Sequence, residues 1–409
     1  MNQSTERNLV LYYLNNLMKR PLYGEIENRV CSWFEEHSRW LIGKDIEDDW
    51  EGRRYRWREK NEEETPPLPR EFKTIRIFLN GKSGRLPTIP EVTAVIDAFQ
   101  FSPEYYDVIA LDILTETIPV LNDLVECCHD LTEKRRIKAC MLDLSSRQYE
   151  KFLASTSELM KKGIYTDSHR GNGRDFTNTF YEILLARCTT PDGVKRIVLG
   201  KPQKATLKAE HFEHIKGEYV WLRNLLTNAL AKQQRGVNLL IYGKPGTGKT
   251  ELAKTLCREA GASLYGVSSN LSDERNSNER RCDLAAALCL LDDEKNSALL
   301  MDEAEDVFGA STSQVLARLL GMSENPRNSK SKLFFNKLLE NNAVPVIWIS
   351  NSIRGVDPAH LRRFSYALNM EAPDENVQAR IWDYSARKNK VKLPKEKISK
   401  LIRGPFKTG

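Results

Sequence analysis

The stretch "NLLIYGKPGTGKTELAK" runs from Asn238 to Lys254. Leu239 to Tyr242 are strand formers, and the residues from Lys249 onward suit a helix. Between them, Gly243 to Thr250 follow the pattern G-x-x-x-x-G-K-T. Glycines at Gly243, Gly246 and Gly248 let backbone N–H groups turn inward and approach anionic oxygens closely. The following helix adds the partial positive charge of its N-terminus. A lysine there reaches phosphate oxygens, and a threonine hydroxyl suits Mg²⁺. The stretch therefore predicts a phosphate cradle at a strand–helix junction. It leaves open whether the phosphate times a switch, drives a motor or feeds a transferase.

Three further stretches narrow the choice. "SALLMDEAEDVFG" is an apolar strand that ends in Asp302 and Glu303. Two carboxylates at the tip of a buried strand are costly unless a cation meets them. Asp302 is placed to order a Mg²⁺ shell and Glu303 to polarise a water. "VPVIWISNSI" is a second apolar strand, ending in Ser350 and Asn351, and an amide at its tip can hydrogen-bond phosphate or water without adding charge. A turn asparagine is the plainer reading of that position. "GVDPAHLRRFSYAL" starts a helix at Asp357 with proline in its first position, and ends it in Arg362 and Arg363. Adjacent arginines commonly form a solvated face. Beyond such an asparagine they can also reach a γ-phosphate on a neighbouring subunit.

From about residue 206, "VNLLIYG", "SLYGVS", "ALLMDE", "VPVIWIS" and "YALNM" are apolar runs, most of them separated by helix-like segments. That alternation predicts an α/β fold with a parallel sheet covered on both faces. P-loop, "MDE", strand-tip Asn and "DPAxLRRF" come in a fixed order, and over about residues 206 to 385 the chain resembles the AAA+ ATPases, particularly the AAA branch proper. The resemblance implies a five-stranded parallel sheet of order 5-1-4-3-2 with a short helical lid. It implies ATP hydrolysis with Mg²⁺ in a homo-oligomeric ring, usually a hexamer, with each pocket at a subunit boundary. By similarity Gly243, Lys244, Pro245, Gly246, Thr247, Gly248, Lys249, Thr250 and Glu251 hold ATP, and Thr250 and Asp302 hold the metal. Glu303 would be the base, Asn351 the first sensor, and Arg363 the finger with Arg362 its partner. "HIKG", from His214 to Gly217, would lie near the adenine.

The chain departs from that family in three places. Where unfoldases carry an aromatic pore loop, "SSNLSDERNSNERR" (Ser268 to Arg281) has no aromatic and only Leu271 is apolar, so threading of a polypeptide is not implied. The segment from Gly309 to Asn342 is long and has room for a specialised loop. The lid is short and lacks a recognisable second sensor, so it is either reduced or cut off.

The N-terminal half is read as mainly helical, in two parts, 1–73 and 74–205, ahead of an ATPase subdomain at 206–371 and a partial lid at 372–409. Leu9, Tyr12, Tyr13 and Leu17 share a helical face. Trp33, Trp40, Trp50 and Trp57 fall among charged residues, where they serve as core side chains or stack on bases. "ETPPLPREF" (Glu64 to Phe72) reads as a linker. Ile118-Pro119 divides or kinks a helical run, and Ser145 or Ser146 caps another. Around 145–185, helix, short strand and loop follow in the order of a winged helix; a plain helical spacer fits equally.

The net charge of +6 over 409 residues is too small an excess to indicate nucleic acid alone. None of the eight cysteines forms a C-x-x-C, which suits reduced thiols. No run approaches a membrane span and no leader is evident, so the expectation is a cytoplasmic protein. The leading expectation is an ATPase that remodels a protein or protein–nucleic acid assembly recognised by the N-terminal region. A slow ATP-dependent switch or scaffold, and a DNA-handling ATPase of the loader or defence/mobile-element type, are the alternatives.

Overall fold

The computed structural model describes residues 3–20, 22, 25–43, 75, 79, 86–167, 174–267, 277–308, 335–354, 356–371 and 374–403. The chain divides into two compact units, one of 1–160 with 167–174 and 187–191, the other of 161–166 with 175–186 and 192–409.

The first unit is helical. Its main elements are α1 (Gln3–Leu17), α2 (Glu25–Ile42), α3 (Pro90–Phe99), α4 (Tyr106–Thr117), α5 (Pro119–Glu126), α6 (Leu131–Met141) and α7 (Ser146–Leu153). Proline decides the α4–α5 break. Ile118, held extended at φ −111° by the ring that follows it, ends one helix, and Pro119 opens the next. Ser145 caps α7 in a reciprocal capping box with Gln148. On α1, Leu9, Tyr13 and Leu17 are buried. Asn16 Nδ2 donates to Met141 O at 3.1 Å, tying α1 to the end of α6. Trp33 is a core residue. Its indole N–H donates to Val120 O at 3.2 Å, and its ring stacks on His37. Trp50, Trp57 and the proline-rich stretch lie outside the described residues.

The chain passes from the first unit to the second through the short α8 (Glu158–Lys161) and a two-stranded sheet of β1 (Tyr165–Asp167) and β2 (Arg174–Phe176). Next come α9 (Asn178–Leu185) and α10 (Pro191–Leu199). The short strand of the sequence thus pairs with a second strand beyond the polar excursion, whose residues 168–173 lie outside the described residues. Gly163 has φ +70°, and a Cβ there would sit 2.1 Å from the main-chain oxygen of Cys282.

The remaining elements are α11 (Lys216–Ala231), β3 (Asn238–Tyr242), α12 (Lys249–Glu259), β4 (Ser263–Gly266) and α13 (Ser277–Leu290). Then come β5 (Ser297–Met301), α14 (Ala304–Phe308), β6 (Val346–Ser350), α15 (Pro358–Leu361), β7 (Tyr366–Asn369), α16 (Glu375–Lys388) and α17 (Lys395–Arg403). The five longer-range strands form one parallel sheet in the order β4-β5-β6-β3-β7. Numbered by appearance and read from the other edge, that is 5-1-4-3-2, as the resemblance implied. Every residue of β5 and β6 is buried, which explains their unbroken apolar runs. Leu226, Leu239, Ile241, Leu252, Leu300 and Ile347 belong to one core beneath the helices.

Residues 309–334 of the long segment from Gly309 to Asn342, the first part of the expected pore segment (268–276) and the final "GPFKTG" lie outside the described residues. Among the described residues no cysteine forms a disulfide, and five of the eight are buried. No described helix is long and apolar enough to cross a membrane.

Asn238 braces the sheet from within. Its Nδ2 donates to Leu339 O at 2.6 Å, and its Oδ1 accepts from the buried indole N–H of Trp348 at 3.1 Å. Replacing it strands at least two buried polar groups. Asn238→Leu should therefore lower unfolding stability by about 2–4 kcal/mol. Urea denaturation followed by tryptophan fluorescence checks this.

Candidate functional site

The site is assembled at the C-terminal ends of β3, β5 and β6, neighbours in a parallel sheet, where carbonyl ends and helix N-termini face the same crevice. β3 runs into the glycine loop. Gly243 takes φ +147°, and a Cβ on it would meet Met370 O at 2.2 Å, so only glycine fits there. Gly246 and Gly248 take φ +76° and +89°. The loop is braced internally by Thr247 Oγ1, which donates to Lys244 O at 3.0 Å.

Lys249 is the hub. Its side chain is buried, and its ammonium donates to Gly243 O and Lys244 O, each at 2.8 Å, and to Asn351 Oδ1 at 3.1 Å. Burial pulls its pKa down, while Asp302 and Glu305 pull it up. It remains a cation whose three protons are held by weak, exchangeable acceptors. Thr250 Oγ1 donates to Asp302 Oδ2 at 3.1 Å, joining the loop to the tip of β5. The other carboxylate oxygen of Asp302 accepts from the backbone N–H of Glu303 at 2.9 Å. Glu303 is exposed and sits at φ +52°, a conformation that non-glycine residues adopt rarely. Lys249, Thr250, Asp302, Glu303 and Asn351 are therefore brought together.

Three expected residues stand apart in their contacts. The Glu251 carboxylate accepts from the N–H and hydroxyl of Thr206 at 2.9 and 2.6 Å. Burial raises its pKa, but these bonds and Lys254 outweigh that and hold it below the usual carboxylate range. Arg363 Nε donates to Glu340 at 2.7 Å, and its Nη1 donates to Ala359 O. Arg362 is exposed at the end of α15, which Asp357 caps as expected, with Pro358 in the first position.

Sequence reasoning missed Glu305. It accepts from Asn351 Nδ2 at 3.0 Å and so fixes which way that amide points. The signal was the third acid of "DEAED", on the one-turn α14. It also missed Thr206, and the two arginines Arg280 and Arg281 near the start of α13.

At the lid side, α16 contacts the 3-10 segment Ala209–Ile215. Arg380 Nη1 donates to Glu213 at 2.6 Å, and the His211 and Tyr384 rings meet edge-on at 4.6 Å. His214 lies in this segment with both ring nitrogens buried and without a hydrogen-bond partner among the described residues. Burial lowers its pKa, so the imidazole is neutral, with one donor and one acceptor unused.

The donor set is one of hard oxygens: the Thr250 hydroxyl and the Asp302 carboxylate, with the Glu303 and Glu305 carboxylates nearby in the chain. These fit Mg²⁺, which prefers one or two carboxylates alongside phosphate oxygens. The arrangement can hold a polyphosphate against the loop and present a carboxylate to water.

Residues 239–372 match the family described as ATPase family associated with various cellular activities (AAA). Spastin of Naegleria gruberi is 26% identical over 190 residues, 44% of this chain and 34% of that protein. Protein CdcH of Halobacterium salinarum is 30% identical over 146 residues, 34% of this chain and 18% of that protein. The chain thus spans about a third or less of the length of these two relatives. Among solved structures, C. elegans PCH-2 aligns with 42% of this chain and 47% of its own, at 19% identity and a TM-score of 0.31. On its motifs, its sheet order and the family match over residues 239–372, the chain contains an AAA+ ATPase core.

Proposed function

We propose that the protein is a Mg²⁺-dependent ATP hydrolase that works as a ring and remodels a protein or protein–nucleic acid assembly held by its N-terminal region. The observation that carries the catalytic part is the convergence of Lys249, Thr250, Asp302 and Asn351 through direct hydrogen bonds at three strand ends.

In this reading Gly243 to Gly248 wrap the phosphates with main-chain N–H groups, and Lys249 exchanges its carbonyl partners for phosphate oxygens. Thr250 and Asp302 hold Mg²⁺, which neutralises phosphate charge when bound. Glu303 takes a proton from the attacking water, and its exposure leaves room for that water. Asn351, oriented by Lys249 on one side and Glu305 on the other, donates to water or γ-phosphate. His214 supplies the unused donor and acceptor that a nucleobase edge requires.

The finger role of Arg363 has a physical condition. Its partner Glu340 is half-exposed, and such a pair is worth about 0–1 kcal/mol. A phosphate on a neighbouring subunit can outcompete it. The alternative of a slow switch is favoured by no single contact in the site. The choice of target, and any role for nucleic acid, rests on the N-terminal unit and is tested by the effect of added DNA on turnover.

Two outcomes test the catalytic reading. Glu303→Gln should retain ATP binding and lose turnover by about a hundredfold or more. Equilibrium binding of a fluorescent ATP analogue beside a phosphate-release assay separates the two, and undiminished hydrolysis removes Glu303 from the mechanism. Arg363→Ala and Lys249→Ala should each be inactive alone, and mixing them should restore part of the activity. Absence of recovery in rings proven to contain both variants rules out a shared site.

A further inference from the structure

Arg280 and Arg281 lie at the fourth and fifth positions of α13 and end a stretch that, in sequence, is a polar run of mixed charge. In the fold they grip the acidic tip of β5. Arg280 is half-buried, and its Nη2 donates to the main-chain oxygen of Asp302 at 2.5 Å. Arg281 is buried, with Nε and Nη2 donating to Val307 O at 3.0 and 2.7 Å. Its guanidinium lies 5.2 Å from the centroid of Phe335. The two side chains thus hold the beginning and the end of the segment from Asp302 to Val307.

The helix that carries them is anchored on its other side. Thr179 Oγ1 of α9 donates to Asp283 at 2.5 Å, and Asn178 Nδ2 donates to Glu279 at 3.2 Å. Gly163 brings its backbone against the main chain of Cys282. Arg280 therefore reaches Asp302 from a fixed base.

The carbonyl it holds belongs to the peptide linking Asp302 to Glu303. Fixing that plane fixes the N–H of Glu303, which is what donates to Asp302 Oδ1, and it sustains the +52° φ of Glu303. A charge-assisted bond to a carbonyl is stronger than a neutral one. Without it the peptide can rotate toward the commoner negative φ, loosening the Asp302 carboxylate from Thr250 and re-aiming the Glu303 side chain.

We propose that Arg280 is a positioning residue for the Asp302–Glu303 pair, holding the metal-binding carboxylate and the base in register through the peptide between them. This rests on the assignment of those two residues above. It assigns Arg280 no contact with nucleotide.

The test uses the full chain, a non-hydrolysable ATP analogue and Mn²⁺, read by electron paramagnetic resonance. Arg280→Ala should weaken analogue-dependent Mn²⁺ binding by about tenfold. Affinity for the analogue in EDTA and the thermal midpoint should stay at wild-type values. Arg280→Lys, which keeps the charge but not the fork, should fall between the two. Mn²⁺ affinity in Arg280→Ala equal to wild type overturns the proposal. So does an equal loss of metal-free nucleotide affinity, which marks general damage. If Arg280→Ala does not fold, Arg280→Lys decides: weakened Mn²⁺ binding supports the role and unchanged binding overturns it. A wild type with no analogue-dependent Mn²⁺ binding overturns the site assignment itself and this proposal with it. Tight binding in the wild type beside an unaffected variant overturns only the role of Arg280.

Discussion

Everything in the candidate site is organised around one buried ammonium. Lys249 sits at the first position of α12, and its Nζ joins the glycine loop to the tip of β6 by three hydrogen bonds. A lysine is buried stably only when its donors are met and its charge is balanced. Here the balance comes from Asp302 and Glu305, which oppose the effect of burial on its pKa. Neutral carbonyls and one amide satisfy the protons, so no full ion pair has to be broken before an anion can bind. The loop is thereby held in a receptive shape without being locked shut.

The sheet supplies the precision that this hub needs. β3 lies between β6 and β7, so the strand that delivers the loop is fixed on both sides. Asn238 at its start bonds to Trp348 of β6 and to Leu339 O, while Gly243 at its end packs on Met370. A shift of β3 along its axis would break contacts at both ends. The result is a crevice whose lining comes from three different strands yet moves as one piece of sheet.

Much of this was legible in the sequence because each feature was local. The strands declared themselves by continuous apolar runs, the loop by its glycines, and the α4–α5 break by Pro119. What the sequence could not show depended on contacts across long separations. Glu305 looks like one more acid in "DEAED" until Asn351 is seen to donate to it from 46 residues away. Arg281 looks like a surface charge, and only the fold reveals that it is buried against Val307 and Phe335. Asn238 reads as a polar interruption at the edge of a strand, although it has no exposed surface at all. Arg363 was read for what it could touch in another subunit, and its local partner Glu340 had no sequence signature.

Gly163 has an importance that its place in an inconspicuous "KKGIY" conceals. Two main chains approach there so closely that no side chain can come between them. Thr177 closes the same corner with a bond from its hydroxyl to Gly163 O at 2.9 Å. Contacts between side chains can slip by changing rotamer, whereas a contact between backbones has no such freedom. The corner at Gly163 and the first turns of α13 therefore cannot slide past one another in small steps. They stay in register or they separate, so a displacement of that corner would reach α13 as a discrete event and not as a graded one.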